Sequence, residues 1–352
     1  MIMVGAMAAV LWGIGVAMNT PRQARWTMIA ILLAAAMLVQ FTLPAGHPLR
    51  QATGGDAGLW GLIIAFGAIV WGYRRLLRGL RARVAANEVP RVKSGAFSDT
   101  ELDRYARHII LREVGGPGQK ALRDAKVLVV GAGGLGSPAL QYLAAAGVGT
   151  IGVIDDDLVE NANLQRQIIH RDANIGMAKV HSAAEAMVAQ NPFVSVRPYH
   201  RRLTDEIAGD LFADYDLVLD GTDNFNTRYL VNRTAVMQQK PLIAAALTQW
   251  EGQISVYDPA RGTPCYECIF PVVPDASLVP SCAEAGVIGP LPGVIGAMMA
   301  VEALKVITGA GTDLGGRLLI YDALYAQTRT IGVKPRADCA VCGGKGMRHA
   351  GR

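Results

Sequence analysis

Two cysteine pairs, Cys265-x-x-Cys268 and Cys339-x-x-Cys342, stand about 70 residues apart. Thiolates suit a borderline-soft ion, and two C-x-x-C pairs spaced this way predict a tetrahedral zinc site with four cysteine ligands. Four protein ligands leave no open position, so the zinc would be structural. The alternative is a pair of redox dithiols, but neither pair opens a helix of the thioredoxin type. The fifth cysteine, Cys282, lies outside the set, in Ser281-Cys282-Ala283-Glu284-Ala285-Gly286.

A second group is Gly131-Ala132-Gly133-Gly134-Leu135-Gly136, which fits G-x-G-x-x-G, with Asp155 19 residues beyond Gly136. Glycines here let backbone N–H groups approach a phosphate at a helix N-terminus, and the acid takes ribose hydroxyls. Alone, the motif favours a dinucleotide such as NAD. No Walker lysine follows, since Ser137-Pro138 comes next. A third group is polar where a fold alone needs nothing polar: Asn161, Asn163, Gln165, Arg166 and Gln167, then Lys179, then Asp220-Gly221-Thr222-Asp223-Asn224. Two cations and a carboxylate near a phosphate turn suit Mg-nucleotide chemistry: the cations neutralise charge on phosphate and Asp223 holds the metal. Hydride transfer does not need that set.

These residues need a scaffold, and the chain alternates strand and helix. Ser98 and Glu101 form a capping box before a helix over 99–111. Short β-branched runs at 126–130, 150–154, 194–197, 217–220, 242–246, 253–257 and 318–321 predict strands. Runs at 138–146, 177–190 and 291–307 predict helices. Alternating βαβ with a Gly-rich first turn predicts an α/β fold with a doubly wound, Rossmann-like, mostly parallel sheet. No internal repeat is evident.

The first quarter of the chain differs in kind. Of 352 residues, 51% are hydrophobic and 18% charged, which excludes intrinsic disorder. The net charge of +5 is uneven: residues 1–93 carry ten Lys and Arg against two acids, and the remainder carries 24 against 27. A sequence-wide basic groove for nucleic acid is therefore not expected. Residues 1–18, 26–43 and 57–73 hold no charge, each long enough for about 26 Å of helix. They predict an α-helical transmembrane region of two or three helices over 1–75, a basic linker over 76–96 and a catalytic domain over 97–345. Arg22 and Arg25 follow the first run, and a cluster from Arg74 to Lys93 follows the third. That asymmetry places the large domain in the cytoplasm, on the inner membrane. Trp12, Trp26, Trp60 and Trp71 fit interfacial anchors, and the Arg-rich stretch 74–83 could meet anionic headgroups.

The sequence resembles the ThiF/MoeB/HesA family, bacterial relatives of ubiquitin-activating enzymes. The resemblance covers about residues 97–343. It rests on Arg104-Tyr105-Ala106-Arg107-His108-Ile109-Ile110-Leu111, the Gly loop, Asn163-Leu164-Gln165-Arg166-Gln167, Thr222-Asp223-Asn224, Glu251-Gly252-Gln253 and both C-x-x-C pairs, in that order. It implies ATP-dependent adenylation of the C-terminal Gly-Gly carboxylate of a small ubiquitin-like sulfur carrier, of the type serving molybdopterin or thiamine synthesis. By motif match, Gly131, Gly133, Gly134 and Gly136 line the nucleotide and Asp155 holds its ribose. Asn163, Arg166, Gln167 and Lys179 lie at the nucleotide, and Asp223 binds Mg2+. Arg107 matches an arginine that the partner subunit contributes in the family's homodimers. Cys282 matches a mobile-loop cysteine that in some relatives bonds covalently to the carrier and in others is dispensable. A separate sulfur donor is expected. The membrane region has no counterpart in the family pattern. The competing expectations are a same-fold enzyme adenylating a tRNA-linked carboxylate, an NAD-dependent oxidoreductase, and a tethered scaffold with a degenerate site.

Overall fold

The computed structural model describes residues 2–18, 20–44, 46–54, 58, 65–67, 69–70, 72–73, 75, 97–273 and 285–343. Most of the third apolar run, the basic linker and Cys282 lie outside the described residues. The chain divides into two compact units, Met1–Glu88 and Val89–Arg352.

In the first unit, helix α1 (Ile2–Ala17) packs against α2 (Arg22–Thr42), and a short α3 (Pro48–Ala52) follows. The α1–α2 seam buries Val4 and Ala36, with Leu32 and Met37 beside them. At the connection, Trp12 and Trp26 meet edge to face at 5.2 Å. The Arg25 guanidinium sits 5.7 Å from the Trp12 ring centre and donates to the Thr20 carbonyl at 2.9 and 2.7 Å. Elsewhere the apolar side chains point outward: Ile31, Leu38 and Phe41 are all exposed. By length and composition, residues Gln23–Thr42 are enough to cross a membrane, and Met3–Val16 form a shorter apolar helix.

The second unit begins with α4 (Asp99–Ile109), whose capping box forms as expected: Glu101 N donates to Ser98 Oγ and Ser98 N to the Glu101 carboxylate. After it come α5 (Gly115–Asp124), β1 (Lys126–Val130), α6 (Gly136–Ala146), β2 (Thr150–Asp155), α7 (Lys179–Gln190), β3 (Ser195–His200), α8 (Asp205–Ala213), β4 (Leu217–Asp220), α9 (Phe225–Met237), β5 (Leu242–Thr248), β6 (Glu251–Tyr257), α10 (Tyr266–Ile269), α11 (Pro290–Thr308), β7 (Arg317–Asp322) and β8 (Gln327–Gly332). The sheet order is β3-β2-β1-β4-β5-β6-β7-β8. The first five strands are parallel, and β6, β7 and β8 extend the sheet antiparallel.

Both faces of β1, β2, β4 and the first half of β5 are buried, which is why those strands read as apolar runs, whereas the edge strand β3, Ser-Val-Arg-Pro-Tyr-His, is mostly half-buried. Val127, Val129, Ile151, Val153, Leu217 and Leu219 pack under α6, α7 and α11. Leu128, Val130, Ile154 and Val218 face the other way, onto Phe212 of α8 and Val231 of α9. Helix α11 is apolar enough to pass as a membrane span, yet Leu291, Ile295, Met299 and Ala303 bury it against the sheet.

The expected mostly parallel sheet thus has a three-stranded antiparallel flank. Strand β8, Gln-Thr-Arg-Thr-Ile-Gly, is exposed along its whole length and so carries no core signal. Helices α5, α8 and α9 also lack strong sequence signatures. The first opens on Gly-Gly-Pro-Gly, and the last is rich in Thr, Asn and Val, which are weak helix formers.

Candidate active site and metal centre

A cleft of about 930 Å3 opens at the carboxyl ends of the parallel strands, where the order reverses between β1 and β4. Such a switch point is where open α/β sheets take ligands. Gly131, Gly133 and Gly134 line it, with Asp155, Arg166, Gln167, Lys179 and Asp223. The turn after β1 demands its glycines. Gly131 holds φ at +95°, and a side chain on Gly136 would strike the Gly131 carbonyl. Helix α6 starts at Gly136, so its positive N-terminal end faces the turn.

Asp155, at the end of β2, braces that turn. One carboxylate oxygen accepts from Ala132 N at 2.7 Å and the other from Asp157 N at 2.8 Å. Burial pushes its carboxyl above the usual range, against the pull of the Lys179 charge. His170 supports the same loop from behind, a contact the sequence did not signal. It is buried, and burial holds its imidazole below the usual value, hence neutral near pH 7. Its Nε2 meets the Ala132 carbonyl at 2.9 Å, which can only accept, so Nε2 carries the proton. Nδ1 then accepts from Ser182 Oγ at 3.0 Å.

The cationic side of the cleft is built from two elements. Lys179 is the first residue of α7; its side chain is buried and its ammonium meets Asp157 at 2.6 Å. Arg166 donates from Nη2 to Asn163 Oδ1 at 2.7 Å. Asn163 is not among the lining residues; it orients Arg166 and bonds Glu160. Gln167 is buried, and its Oε1 has no hydrogen-bond partner among the described residues.

The opposite wall is the loop between β4 and α9. Asp220 is fully buried; its Oδ1 accepts from Thr222 N at 2.9 Å and Thr222 Oγ1 at 2.6 Å. Asn224 caps α9 by accepting from Thr227 N at 2.9 Å. Asp223, between these anchors, is exposed to the cleft, and its carboxylate makes no hydrogen bond or ion pair among the described residues. An unpartnered carboxylate on a fixed loop, facing two cations and a phosphate turn, can take a divalent cation with a bound nucleotide. Arg201, Arg202, Glu251 and Gln253 also line the cleft, and none was singled out as a site residue from the sequence. Arg107 sits in the last turn of α4, exposed and outside the cleft lining.

The four predicted cysteine ligands come together. Cys265, Cys268, Cys339 and Cys342 are all buried, and their four sulfurs lie within 4.8 Å of one another. Neighbouring sulfurs are 3.8, 3.6 and 3.4 Å apart. Tetrahedral Zn–S bonds of about 2.3 Å place sulfurs roughly 3.8 Å apart, so the set fits zinc. The hydrogen bond from Cys265 to Cys268 raises the Cys265 thiol above the usual range and lowers that of Cys268. Arg336 N also donates to Cys268 Sγ at 3.4 Å, a contact typical of a ligand sulfur.

A family model described as the ThiF family matches residues 105–341. The sulfur carrier protein adenylyltransferase of Thermus thermophilus is 51% identical over 251 residues, covering 70% of this chain and 93% of that protein. The SAMP-activating enzyme E1 of Haloferax volcanii is 47% identical, over 70% of this chain and 91% of its own length. The probable adenylyltransferase/sulfurtransferase MoeZ of Mycobacterium tuberculosis is 50% identical over 68% of this chain, which spans 62% of it. Among solved structures, E. coli MccB with ATP superposes with a TM-score of 0.59 at 26% identity, over 68% of this chain and 74% of that one.

Proposed function

The chain belongs to the ThiF family, and from that premise we propose that it adenylates the C-terminal carboxylate of a small ubiquitin-like sulfur carrier. The carrier ends in Gly-Gly; its carboxylate attacks the α-phosphate of ATP and pyrophosphate leaves, activating the carrier for molybdopterin or thiamine sulfur transfer. The observation that carries this reading is the convergence of Arg166, Lys179 and Asp223 on one cleft beside the glycine turn. Little covalent work is asked of the protein: positioning the two reactants and stabilising charge on phosphate suffice.

Within that reading, Gly131, Gly133, Gly134 and Gly136 let the triphosphate approach the N-terminal end of α6. Asp155 takes the ribose hydroxyls, and the neutral His170 keeps the turn in place. Lys179 exchanges Asp157 for phosphate oxygen, and Arg166, aimed by Asn163, clamps a second one. Asp223 would hold Mg2+, which when bound would supply positive charge to offset that of the triphosphate. Arg107 reaches the site of a second copy in a homodimer. Measuring ATP–pyrophosphate exchange with and without a Gly-Gly-terminated carrier tests the proposal; absence of carrier-dependent exchange would overturn it.

We also propose that the first unit tethers this activity to the inner membrane with the catalytic unit in the cytoplasm. The support is α2, about 30 Å of apolar helix with outward-facing Ile31, Leu38 and Phe41, and the Arg excess around it. A reporter fused after Arg352 should be active in the cytoplasm only. Periplasmic activity would remove the topology and, since ATP is not available there, the reaction with it.

A further inference from the structure

Helix α9 touches two sites at once. At its start it carries the Thr222-Asp223-Asn224 loop; along its inner face it holds the Cys265–Cys268 turn. Asn232 Oδ1 accepts from Tyr266 N at 2.9 Å, and Asn232 Nδ2 donates to Glu267 at 3.2 Å. Tyr229 OH donates to the Phe270 carbonyl at 2.8 Å. Between the two sites lies Arg228, 5% exposed, a cation the adenylation reading leaves unused. Its Nη2 donates to the Thr222 carbonyl at 2.5 Å. Its Nε faces Asp220 Oδ2 at 3.9 Å, an oxygen with no hydrogen-bond partner among the described residues. Its guanidinium lies 5.8 Å from the ring centre of Tyr266, the residue next to Cys265. A buried cation offsets the buried Asp220 charge, but a charge alone would not need a planar fork. The fork is what reaches a carbonyl, a carboxylate and a ring together.

We propose that Arg228 is a positioning residue that makes the cysteine knuckle a splint for the cleft. It pins the peptide before Asp223 so that this carboxylate stays free, and Tyr266 beneath it ties that pin to the cysteine turn. The proposal rests on the reading that Asp223 holds the cation bound with ATP. Lysine at 228 keeps the charge but presents a single ammonium, which cannot replace the fork. Leucine at 266 removes the ring and leaves all four cysteines.

The test uses the full-length protein and a non-hydrolysable ATP analogue, titrated calorimetrically with and without Mg2+. Zinc content and thermal midpoint are followed in parallel. Arg228→Lys should retain zinc and bind the Mg-loaded analogue about 10-fold more weakly, as is usual when a residue orienting a metal ligand is changed. Binding of the metal-free analogue should stay near wild type. Tyr266→Leu should shift the same way by less, and the double variant should be no worse than Arg228→Lys alone, since coupled residues are not additive. Equal loss with and without Mg2+ would mean a general packing defect and overturn the proposal, as would wild-type binding by Arg228→Lys or multiplicative losses in the double variant. If Arg228→Lys does not fold, Tyr266→Leu decides alone by the same Mg2+ contrast. Failure of the underlying reading is recognised separately: Asp223→Ala would then match wild type in both titrations.

Discussion

At the cysteine knuckle every ligand atom is buried beside other ligand atoms, whereas the cleft leaves Asp223 exposed and without a hydrogen-bond or ion-pair partner among the described residues. The first arrangement is closed and complete once a metal is bound. The second is held open at a cost, with Asp155 half-buried where its charge is disfavoured and Gln167 Oε1 unsatisfied among the described residues. A structural site and a reactive site therefore differ less in residue type than in what is left unpaired. Stability should depend on the first and turnover on the second.

Cys268→Ser is the strongest challenge to that division. It should abolish stoichiometric zinc and lower stability by more than about 4 kcal/mol, because metal binding is folding energy in such clips. Metal analysis with denaturant unfolding checks this; a zinc-free wild type purified without chelator would end the structural-metal assignment.

Asp223→Ala should do the reverse. Exchange should fall by on the order of 100-fold or more, while stability stays within roughly 0.5 kcal/mol because the exposed side chain has no hydrogen bond or ion pair to lose among the described residues. Arg166→Ala should behave similarly. A large drop in thermal midpoint for Asp223→Ala would blur the contrast, and unchanged exchange would remove the adenylation mechanism.

Arg107→Ala sharpens the comparison by asking whether the cleft is complete within one chain. A charge-assisted contact contributes about 1.5–3 kcal/mol, so exchange should fall roughly 10-fold to 150-fold. Mixing this variant with Asp223→Ala protein should restore part of the activity, since each mixed dimer can form one intact site. Failure of the mixing alone would count against the shared site and not against the chemistry.

The smallest effect is the most diagnostic of strain. Burial raises the folded-state pKa of Asp155, so its contribution to stability is fully present below the unfolded pKa and is lost as pH rises through the folded one. At neutral pH, Asp155→Asn should therefore unfold at a slightly higher temperature than wild type while binding ATP more weakly. A lower midpoint would mean that its bonds to Ala132 and Asp157 outweigh the cost of burial.

Legibility in the sequence followed the same split. The four cysteines are readable because their spacing is itself the geometry. The central parallel strands are readable because burial on both faces leaves an apolar run, as at 127–130 of β1. The glycine turn, Arg166, Lys179 and Asp223 are readable as types that phosphate chemistry needs near strand ends. What stays hidden is whatever acts through another residue. His170 hydrogen-bonds a carbonyl and a hydroxyl, Asn163 serves Arg166, and Arg228 is one arginine among many until its neighbours are known. Strand β8 is hidden for the opposite reason, having no buried face to pattern.

The knuckle also has a consequence for the order of assembly. Its two halves flank about 70 residues of chain that include α11, β7 and β8. A loop of that length closes only at an entropic cost, so the second pair of thiols is expected to find the first after β7 has paired with β6 and β8 with β7. Zinc is then captured by a nearly finished fold and acts as its final latch. Metal supplied early in refolding should speed nothing, and metal withheld should leave a late, loosely closed species with the parallel half already formed.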